Sequence, residues 1–355
     1  MRLIVLAALL LTAGLPSGSA CGAQETAAPA PVPDAQQAGF QAFLTGLRPR
    51  AAAAGIRTAT MDVVFPTLSF NPRVIRFDRA QPGGNPASTT PSIPAFAPYR
   101  QTHVDADRIG RGRSRYAQLR PRLQRIEAET GVPESIMMAI YGHETGYGRV
   151  VGDFDLLRSL ASLAYEGRRR ELFTAEFIAT LQLLERGVAR STLKGSWAGA
   201  TGYPQFLPSM YLRLAVDGDA DGRIDIWNSE PDALASIGNY LVKAGWRRDV
   251  PWGVAVRVPD GFDRAAVRPR LASPRCPRVY DRHSRWQTIG EWRQAGIQIM
   301  GTPVPRDSEQ ASLIEPDGPG MTAYLLTTNY SSILDYNCSN FYALSVGLLA
   351  DAVAQ

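Results

Sequence analysis

The chain has 355 residues, of which 45% are hydrophobic and 20% are charged, and its formal net charge is +5 at pH 7. This charge excess is too small to indicate nucleic acid as the partner, and the length allows one large domain with a smaller one. With three cysteines and three histidines, the chain has little material for a zinc or iron site.

The first 20 residues are typical of a secretory signal peptide. A basic start at Arg2 is followed by an apolar run over residues 3–15 and by the small residues 18–20. The run is shorter than the roughly 20 apolar residues that cross a bilayer. We therefore predict a periplasmic protein. Cys21 follows the predicted cleavage site and is a candidate for a lipid that attaches the protein to the membrane.

Residues 21–37 are rich in Ala, Pro and Gln, which predicts a flexible tether. Cleavage at Ala23 would remove Cys21, so lipid attachment stays open. Residues 71–98 are rich in Pro and Gly, and we expect them to wrap over a core built elsewhere. Apolar periodicity and helix-ending residues predict a mainly α-helical body, with helices at residues 40–54, 114–130, 133–144, 155–165, 171–186, 231–244 and 340–353.

Residues 252–258 and 287–334 lack the helical pattern of the rest of the chain and favour strands, because β-branched and aromatic residues alternate there with Pro and Gly. The best strand candidates are residues 297–302 and 322–328. We predict a mainly α-helical catalytic domain over residues 38–258, a small mixed α/β lobe over residues 259–335 and a C-terminal helix over residues 336–355 that packs back on the catalytic domain.

Cys276 and Cys338 are the natural disulfide pair in an oxidising compartment, and two buried free thiols are the alternative. Short arginine clusters such as residues 168–170 and 247–248 lack interleaved aromatic residues. We interpret these clusters as solvated faces.

Glu144 continues the apolar stripe of the helix at residues 133–144, because Ile136 and Ile140 precede it at intervals of four residues. A carboxyl on that face loses water, which raises its pKa and leaves a proton to donate near neutral pH. Glu144 is therefore a candidate general acid. The alternative is a helix-terminal Glu held by backbone N–H groups or an arginine. His143 points about 100° away around the helix, and we interpret it as structural.

Residues 194–209 combine three glycines with side chains that suit a sugar. Glycine permits close approach of the backbone, amides and hydroxyls bond to sugar substituents, and aromatic rings cover the apolar faces of pyranose rings. The candidate contacts are Ser196, Tyr203, Gln205 and Phe206. An ordinary Gly-rich turn before a helix is the alternative.

Residues 217–232 carry oxygen ligands at the spacing of an EF-hand loop. Asn228 departs from the pattern, because it stands at position 12 in place of the bidentate Glu. We predict a structural Ca²⁺ site, and the alternative is an Asp-rich turn closed by its own hydrogen bonds. The predicted ligands are Asp217, Asp219, Asp221, Arg223 through its backbone carbonyl, Asp225 and Asp232.

In their order and spacing these motifs resemble the B-type family of lytic murein transglycosylases. The resemblance rests on Glu144-Thr145-Gly146-Tyr147-Gly148-Arg149, residues 194–209, the acidic loop at Asp217 and Tyr336-Asn337-Cys338-Ser339, and it covers most of the chain from about residue 40 to residue 354. It implies a lysozyme-like α-domain. It also implies cleavage of the β-1,4 bond between MurNAc and GlcNAc of peptidoglycan without water, which leaves 1,6-anhydro-MurNAc ends.

By this resemblance Glu144 is the sole catalytic acid and base, and no cofactor takes part in catalysis. Glutamate first protonates the glycosidic oxygen and then accepts the proton of the C6 hydroxyl as that oxygen attacks C1. We expect a monomer that binds glycan strands.

The glycan contacts that the resemblance implies are Ser196, Gln205, Phe206, Tyr240, Tyr336, Asn337 and Tyr342. For Tyr240 and Tyr342 the alternative is that they are aromatic residues of the core.

Two other functions stay open at this point. A hydrolytic muramidase would differ only in that water, and not the C6 hydroxyl, reaches C1. An inactive peptidoglycan-binding protein would keep the groove without the chemistry. The sequence lacks the motifs of helical zinc proteases, GxSxG hydrolases, P-loop enzymes and dinucleotide-binding enzymes.

Overall fold

The computed structural model describes residues 34–81, 95–268, 276 and 279–355. The predicted signal peptide and Cys21 lie outside these residues. The last residues of the predicted tether, from Asp34 onwards, belong to the first helix. None of the helices in the described part of the chain has the length and apolar character needed to span a bilayer.

Most of the described residues are helical, and the predicted fold class, mainly α with a small sheet, is confirmed. The helices are α1 (Asp34–Ala53), α2 (Thr58–Val64), α3 (Pro72–Arg79), α4 (Ala97–His103), α5 (Ala106–Thr130), α6 (Glu134–Thr145), α7 (Leu156–Glu166), α8 (Arg170–Glu185), α9 (Pro208–Leu214), α10 (Glu230–Lys243), α11 (Ile289–Gln294), α12 (Thr328–Tyr336) and α13 (Asn340–Ala354). The strands are β1 (Phe154–Asp155), β2 (Lys194–Gly195), β3 (Gly253–Arg257), β4 (Gln287–Thr288), β5 (Gln298–Ile299), β6 (Gln310–Ile314) and β7 (Ala323–Thr327).

The described residues divide into two compact units, and one of them comprises residues 34–81 and 151–213. In this unit α7 packs against α8, α3 and α1. Helix α3 begins at an Asn-Pro pair, where the Asn71 side chain accepts a hydrogen bond from the backbone N–H of Arg73 at 3.1 Å. Val74 and Ile75 of α3 are buried. This helix corrects the expectation that the chain here only wraps over a core built elsewhere.

A buried ion cluster lies in the same unit. Asp78 is 1% exposed, and its carboxylate bonds to the guanidinium groups of Arg168, at 2.6 Å, and Arg169. Burial alone would raise the pKa of Asp78, but the two guanidinium groups outweigh it and hold the pKa below its usual value. The interpretation of residues 168–170 as a solvated face was therefore wrong for Arg169, which is half-buried, whereas Arg168 and Arg170 are exposed.

The other compact unit contains the described residues of 95–150 and 214–355. Helix α6 packs against α5, α10 and α13, and nine of its twelve residues are buried. A helix that is apolar on all sides belongs in a core. The carboxyl of Glu144 is thus carried by the central helix of this unit.

Five antiparallel strands of this unit form a sheet in the order β4-β6-β7-β3-β5. Leu325 of β7 pairs with Leu313 on one side and Val254 on the other, and all three are buried. Trp292 of α11 is fully buried in the same core and donates its indole N–H to the carbonyl of Ala311 at 3.0 Å. The strands β3, β5 and β7 lie within the predicted strand regions.

Helix α12 follows β7 directly and was not predicted, because it lies inside the stretch assigned to strands. Thr327 ends the strand and caps the helix by accepting a hydrogen bond from the backbone N–H of Asn329 at 3.2 Å. Beyond α12, Cys338 forms the predicted disulfide with Cys276, with Cα atoms 5.5 Å apart. Helix α13 then packs against α6 and α5. The domain boundaries at residues 258 and 335 stay a prediction.

We expect the substitution Asp78→Asn to lower the free energy of unfolding by about 3 kcal/mol, because it leaves two guanidinium groups without their buried carboxylate. The matched control is Asp62→Asn, which breaks an exposed pair with Arg48 and should cost less than about 1 kcal/mol. Urea unfolding measures both. Equal effects of the two substitutions would contradict the conclusion that the buried carboxylate of Asp78 stabilises this unit.

Candidate active site

Glu144 lies in the last turn of α6 and is half-buried. The hydroxyl of Tyr342 on α13 donates to Glu144 Oε1 at 2.6 Å. Burial raises the pKa of Glu144 to about 7, and the bond from Tyr342 opposes this rise only in part. No described arginine forms an ion pair with Glu144. At neutral pH the carboxyl is therefore close to half protonated, as the sequence predicted.

The end of α6 fixes the direction of this side chain. Gly146 adopts a left-handed conformation, with φ of 59°, and caps the helix through its backbone N–H to Gly142 O at 3.1 Å. The ring of Tyr147 lies against Gly142, where a Cβ atom would be 2.5 Å from the ring carbon Cζ. A side chain at position 142 would therefore displace the ring of Tyr147 from its place against the helix.

The negative charge of Glu144 raises the pKa of three tyrosines, of which two were predicted glycan contacts and one was not. The pKa of Tyr99 on α4 is raised to about 12 by burial and by the negative charge of Glu144. Tyr336 and Tyr342 have pKa values well above the usual one for the same two reasons. All three phenols stay protonated over the working range of the carboxyl. Tyr99 was not predicted, because it lies on a short helix next to a Pro-rich stretch that shows no motif.

Tyr240 joins the group through Tyr336, since the centroids of their rings are 4.7 Å apart. Its hydroxyl lies 2.8 Å from the backbone carbonyl oxygen of Asp335 and can donate to it. Asn337 follows Tyr336, and its side-chain Oδ1 is buried with no hydrogen-bond partner among the described residues. A buried acceptor without a donor is costly, so this oxygen suits an N–H group of a ligand.

The ring of His143 is uncharged at neutral pH. Its pKa is lowered to about 3 by burial and by the charge of Arg108, whose guanidinium lies 3.2 Å from His143 Nδ1. The neutral ring packs 5.6 Å from the ring of Tyr342, centroid to centroid. These contacts fit the structural interpretation of His143.

Residues 194–209 belong to the other compact unit and form a tight loop. Ser196 Oγ accepts from the backbone N–H of Ala200 at 3.0 Å, and the Gln205 amide donates to Gly202 O at 2.9 Å. Gln205 has a positive φ of 50°, a strained conformation that is common at functional sites. The structure thus holds Ser196 and Gln205 in one preformed loop.

Tyr203 and Phe206 lie in the same loop in different settings. Tyr203 is half-buried, whereas Phe206 is fully buried and forms two backbone hydrogen bonds with Thr201. The burial of Phe206 does not favour stacking of its ring on a sugar. The predicted glycan contacts of both residues stay predictions.

In the acidic loop, carboxylate oxygens of Asp217, Asp219 and Asp221 lie within 4.8 Å of one another. Asp217 accepts from the backbone N–H groups of Ala220 and Gly222 at 2.6 and 2.8 Å. Asp219 Oδ1 is buried and has no hydrogen-bond partner among the described residues. Three clustered carboxylates with one unpartnered oxygen fit a hard cation such as Ca²⁺.

The other predicted ligands take different positions. Asp232 is 1% exposed and accepts from the backbone N–H groups of Gly218 and Asp225, at 2.8 and 2.6 Å, so it closes the loop. The Asp225 carboxylate bonds to Asn228 in the following turn. The structure therefore does not bring Asp225 and Asp232 into the cluster of three, and the carbonyl role of Arg223 stays a prediction.

Comparison with known proteins places this geometry in a family. The Transglycosylase SLT domain family model matches residues 39–351. The membrane-bound lytic murein transglycosylase B of Escherichia coli (strain K12) is 33% identical over 283 residues, which cover 76% of this chain and 72% of the relative.

Solved structures give the same result. SltB3 from Pseudomonas aeruginosa in complex with NAG-anhNAM-pentapeptide has a TM-score of 0.77 and 39% identity, over 89% of this chain and 79% of that one. The Escherichia coli lytic transglycosylase Slt35 in complex with calcium has a TM-score of 0.68 and 28% identity, over 90% and 94% of the two chains. The neighbours confirm the lysozyme-like fold class. The chain belongs to the Transglycosylase SLT domain family, as its resemblance to the B-type lytic murein transglycosylases implied.

Proposed function

We propose that this lytic transglycosylase cleaves the β-1,4 bond between MurNAc and GlcNAc of peptidoglycan with Glu144 as its single acid and base, leaving 1,6-anhydro-MurNAc ends. The observation that carries this proposal is the half-buried Glu144 carboxyl, with a pKa of about 7, bonded to Tyr342. Burial raises the pKa of Glu144, and the bond from Tyr342 opposes this rise. Most glycosidases use a second carboxylate as nucleophile or base, and in the proposed reaction the C6 hydroxyl of the sugar is the nucleophile instead.

The proton moves twice in this reaction. The protonated Glu144 donates to the glycosidic oxygen while the bond from that oxygen to C1 breaks. The carboxylate, held by the Tyr342 hydroxyl, then accepts the proton of the C6 hydroxyl as O6 bonds to C1. A pKa near neutrality serves both steps, because the group must lose and regain a proton at the same pH.

We also assign the glycan contacts to two sets of residues. Asn337 Oδ1 would accept from the N–H of an acetamido group, beside the rings of Tyr240, Tyr336 and Tyr342. The preformed loop of residues 194–209 would supply the contacts of Ser196, Tyr203 and Gln205, with the buried Phe206 supporting the loop from below. The complex of SltB3 with NAG-anhNAM-pentapeptide supports a ligand of this class.

Calcium is the proposed structural ion of the acidic loop, where Asp217, Asp219 and Asp221 would hold it. The calcium complex of Slt35 supports this choice. The loop leads into Glu230 of α10, which accepts from the hydroxyl of Tyr141 on α6 at 2.7 Å. An ordered loop would therefore help to hold the helix that carries Glu144.

The name of the Escherichia coli relative, a membrane-bound enzyme, supports a periplasmic location for this protein. A lipid on Cys21 would attach it to the membrane. We expect it to act as a monomer on glycan strands.

The substitution Glu144→Gln should lower turnover of peptidoglycan at least 100-fold and leave glycan binding unchanged, because the amide keeps the shape but cannot donate the proton. The control Glu129→Gln removes an exposed carboxylate of α5 and should have no effect. Mass spectrometry of the wild-type products should show ends lighter by one water than hydrolysis products. Reducing ends would mean a hydrolase, and turnover retained by Glu144→Gln would refute the assignment.

The pH profile tests the role of Tyr342. Since the reaction starts from protonated Glu144, kcat/KM should be high below pH about 7 and fall as the pH rises through the pKa of Glu144. The Tyr342 bond lowers that pKa, so Tyr342→Phe should move the fall upward by about one pH unit. Tyr280→Phe, which removes a hydroxyl bonded to Ser331, should leave the profile unchanged. A downward shift in Tyr342→Phe would contradict this role.

Calcium should raise the melting temperature of the EDTA-treated protein, because a ligand that binds only the folded state stabilises it by about 2.7 kcal/mol at 100 times its Kd. Asp219→Asn should abolish the rise, and the control Asp153→Asn, an exposed residue outside the loop, should retain it. Differential scanning calorimetry measures both. An equal rise in all three proteins would place the ion elsewhere.

A further inference from the structure

A cavity of about 380 Å³ opens in the small lobe, and none of its lining residues belongs to the predicted active site. Its walls come from Arg264, residues 267–268, residues 281–284, Leu313, Glu315 and residues 318–319. The volume is at the lower end of the range of small-ligand sites. A ligand of the size of one or two amino acids would fit.

The charges of the lining are mostly guanidinium groups. Arg264 is already neutralised by Glu315, through two bonds of 2.7 and 2.8 Å. Arg268 and Arg282 form no ion pair with a described residue, although Asp281 also lines the cavity and the charge of Asp317 acts on Arg282. Two of the three lining arginines are therefore without a carboxylate in direct contact among the described residues.

Arg282 is the most informative of these groups because it is half-buried. It donates one hydrogen bond to the carbonyl of Pro316 at 3.1 Å, and its guanidinium carbon lies 5.5 Å from the centroid of the Phe341 ring. Burial lowers its pKa, which reflects the cost of holding this charge away from water. A half-buried guanidinium with no carboxylate in direct contact among the described residues suits an anion that binds with two oxygens.

The rest of the wall is partly apolar. Val267 and Leu313 are buried beside the arginines and offer a surface for small aliphatic groups. His283 is buried between Ser312 Oγ, at 2.9 Å, and Asn340 Oδ1, at 2.8 Å. Its pKa is lowered to about 4 by burial, so the ring is neutral and adds no charge to the cavity.

We propose that this cavity binds the carboxylate end of a peptidoglycan stem peptide, with Arg282 and Arg268 on the carboxylate and with Val267 and Leu313 on alanine methyl groups. The inference rests on the proposed function, because a peptidoglycan substrate is what brings such peptides to the enzyme. Phosphate shares the same charge complementarity and is the competing ligand that the test separates.

Isothermal titration calorimetry of the full chain with D-alanyl-D-alanine tests the proposal without any turnover. We expect binding of the dipeptide, at least tenfold weaker binding of its C-terminal amide, and at least tenfold weaker dipeptide binding in Arg282→Gln and in Arg268→Ala. The control Arg285→Ala removes a nearby exposed arginine outside the lining and should bind as the wild type does. If Arg282→Gln fails to fold, the exposed Arg268 still provides the test.

Equal binding of the dipeptide and its amide, no binding of either, or tighter binding of inorganic phosphate than of the dipeptide would overturn the proposal. A comparison of KM for glycan strands with and without stem peptides then tests whether the cavity binds the peptide of the substrate. The ratio of KM for peptide-free glycan strands to KM for stem-bearing strands should exceed ten in the wild type and in Arg285→Ala, and fall towards one in Arg268→Ala. Failure of the proposed function would instead appear as the absence of anhydro products from both strands.

Discussion

The structure around the active site depends on one interaction, the hydrogen bond from the Tyr342 hydroxyl to a half-buried Glu144 carboxyl. Burial without a donor would push the pKa of this acid still higher and make it a weaker proton donor in the first transfer. Full solvation would return the pKa to its ordinary value of 4.5, and at neutral pH too little of the protonated acid would remain to donate to the glycosidic oxygen. The pKa of about 7 is therefore a balance between lost water and one well-placed phenol.

Several parts of the same compact unit serve to keep that phenol in place. Ser339 caps α13 by accepting from the backbone N–H of Tyr342 at 3.3 Å. Asn340 is held by His283 and by the hydroxyl of Tyr330, which lies 3.1 Å from its Oδ1. The disulfide at Cys338 restrains the chain just before the helix. The five-stranded sheet, which carries Ser312 on β6, thus contributes to the geometry of Tyr342 through a short chain of hydrogen bonds.

Local sequence patterns predicted the helix of the active site and its acid, but they did not predict contacts between residues that are far apart in the sequence. The spacing of Ile136, Ile140 and Glu144 predicted a helix with its acid on the core face, because burial in a helix follows its period. The partner of that acid is 198 residues away in sequence, and only the family resemblance named Tyr342. Tyr99 carried no signal, and the full burial of Phe206 depends on packing that no local pattern records. Two units, each assembled from separate stretches of chain, are likewise invisible to local periodicity.

The most direct test of this account is the pKa of Glu144 itself. Glutamate labelled with ¹³C at the side-chain carboxyl carbon gives one NMR signal for each glutamate, and the signal lost in Glu144→Gln identifies this residue. Titration of the wild-type protein should show that signal moving with a midpoint of about pH 7. A midpoint near 4.5, the ordinary value, would contradict the claim that burial prepares this carboxyl for both proton transfers.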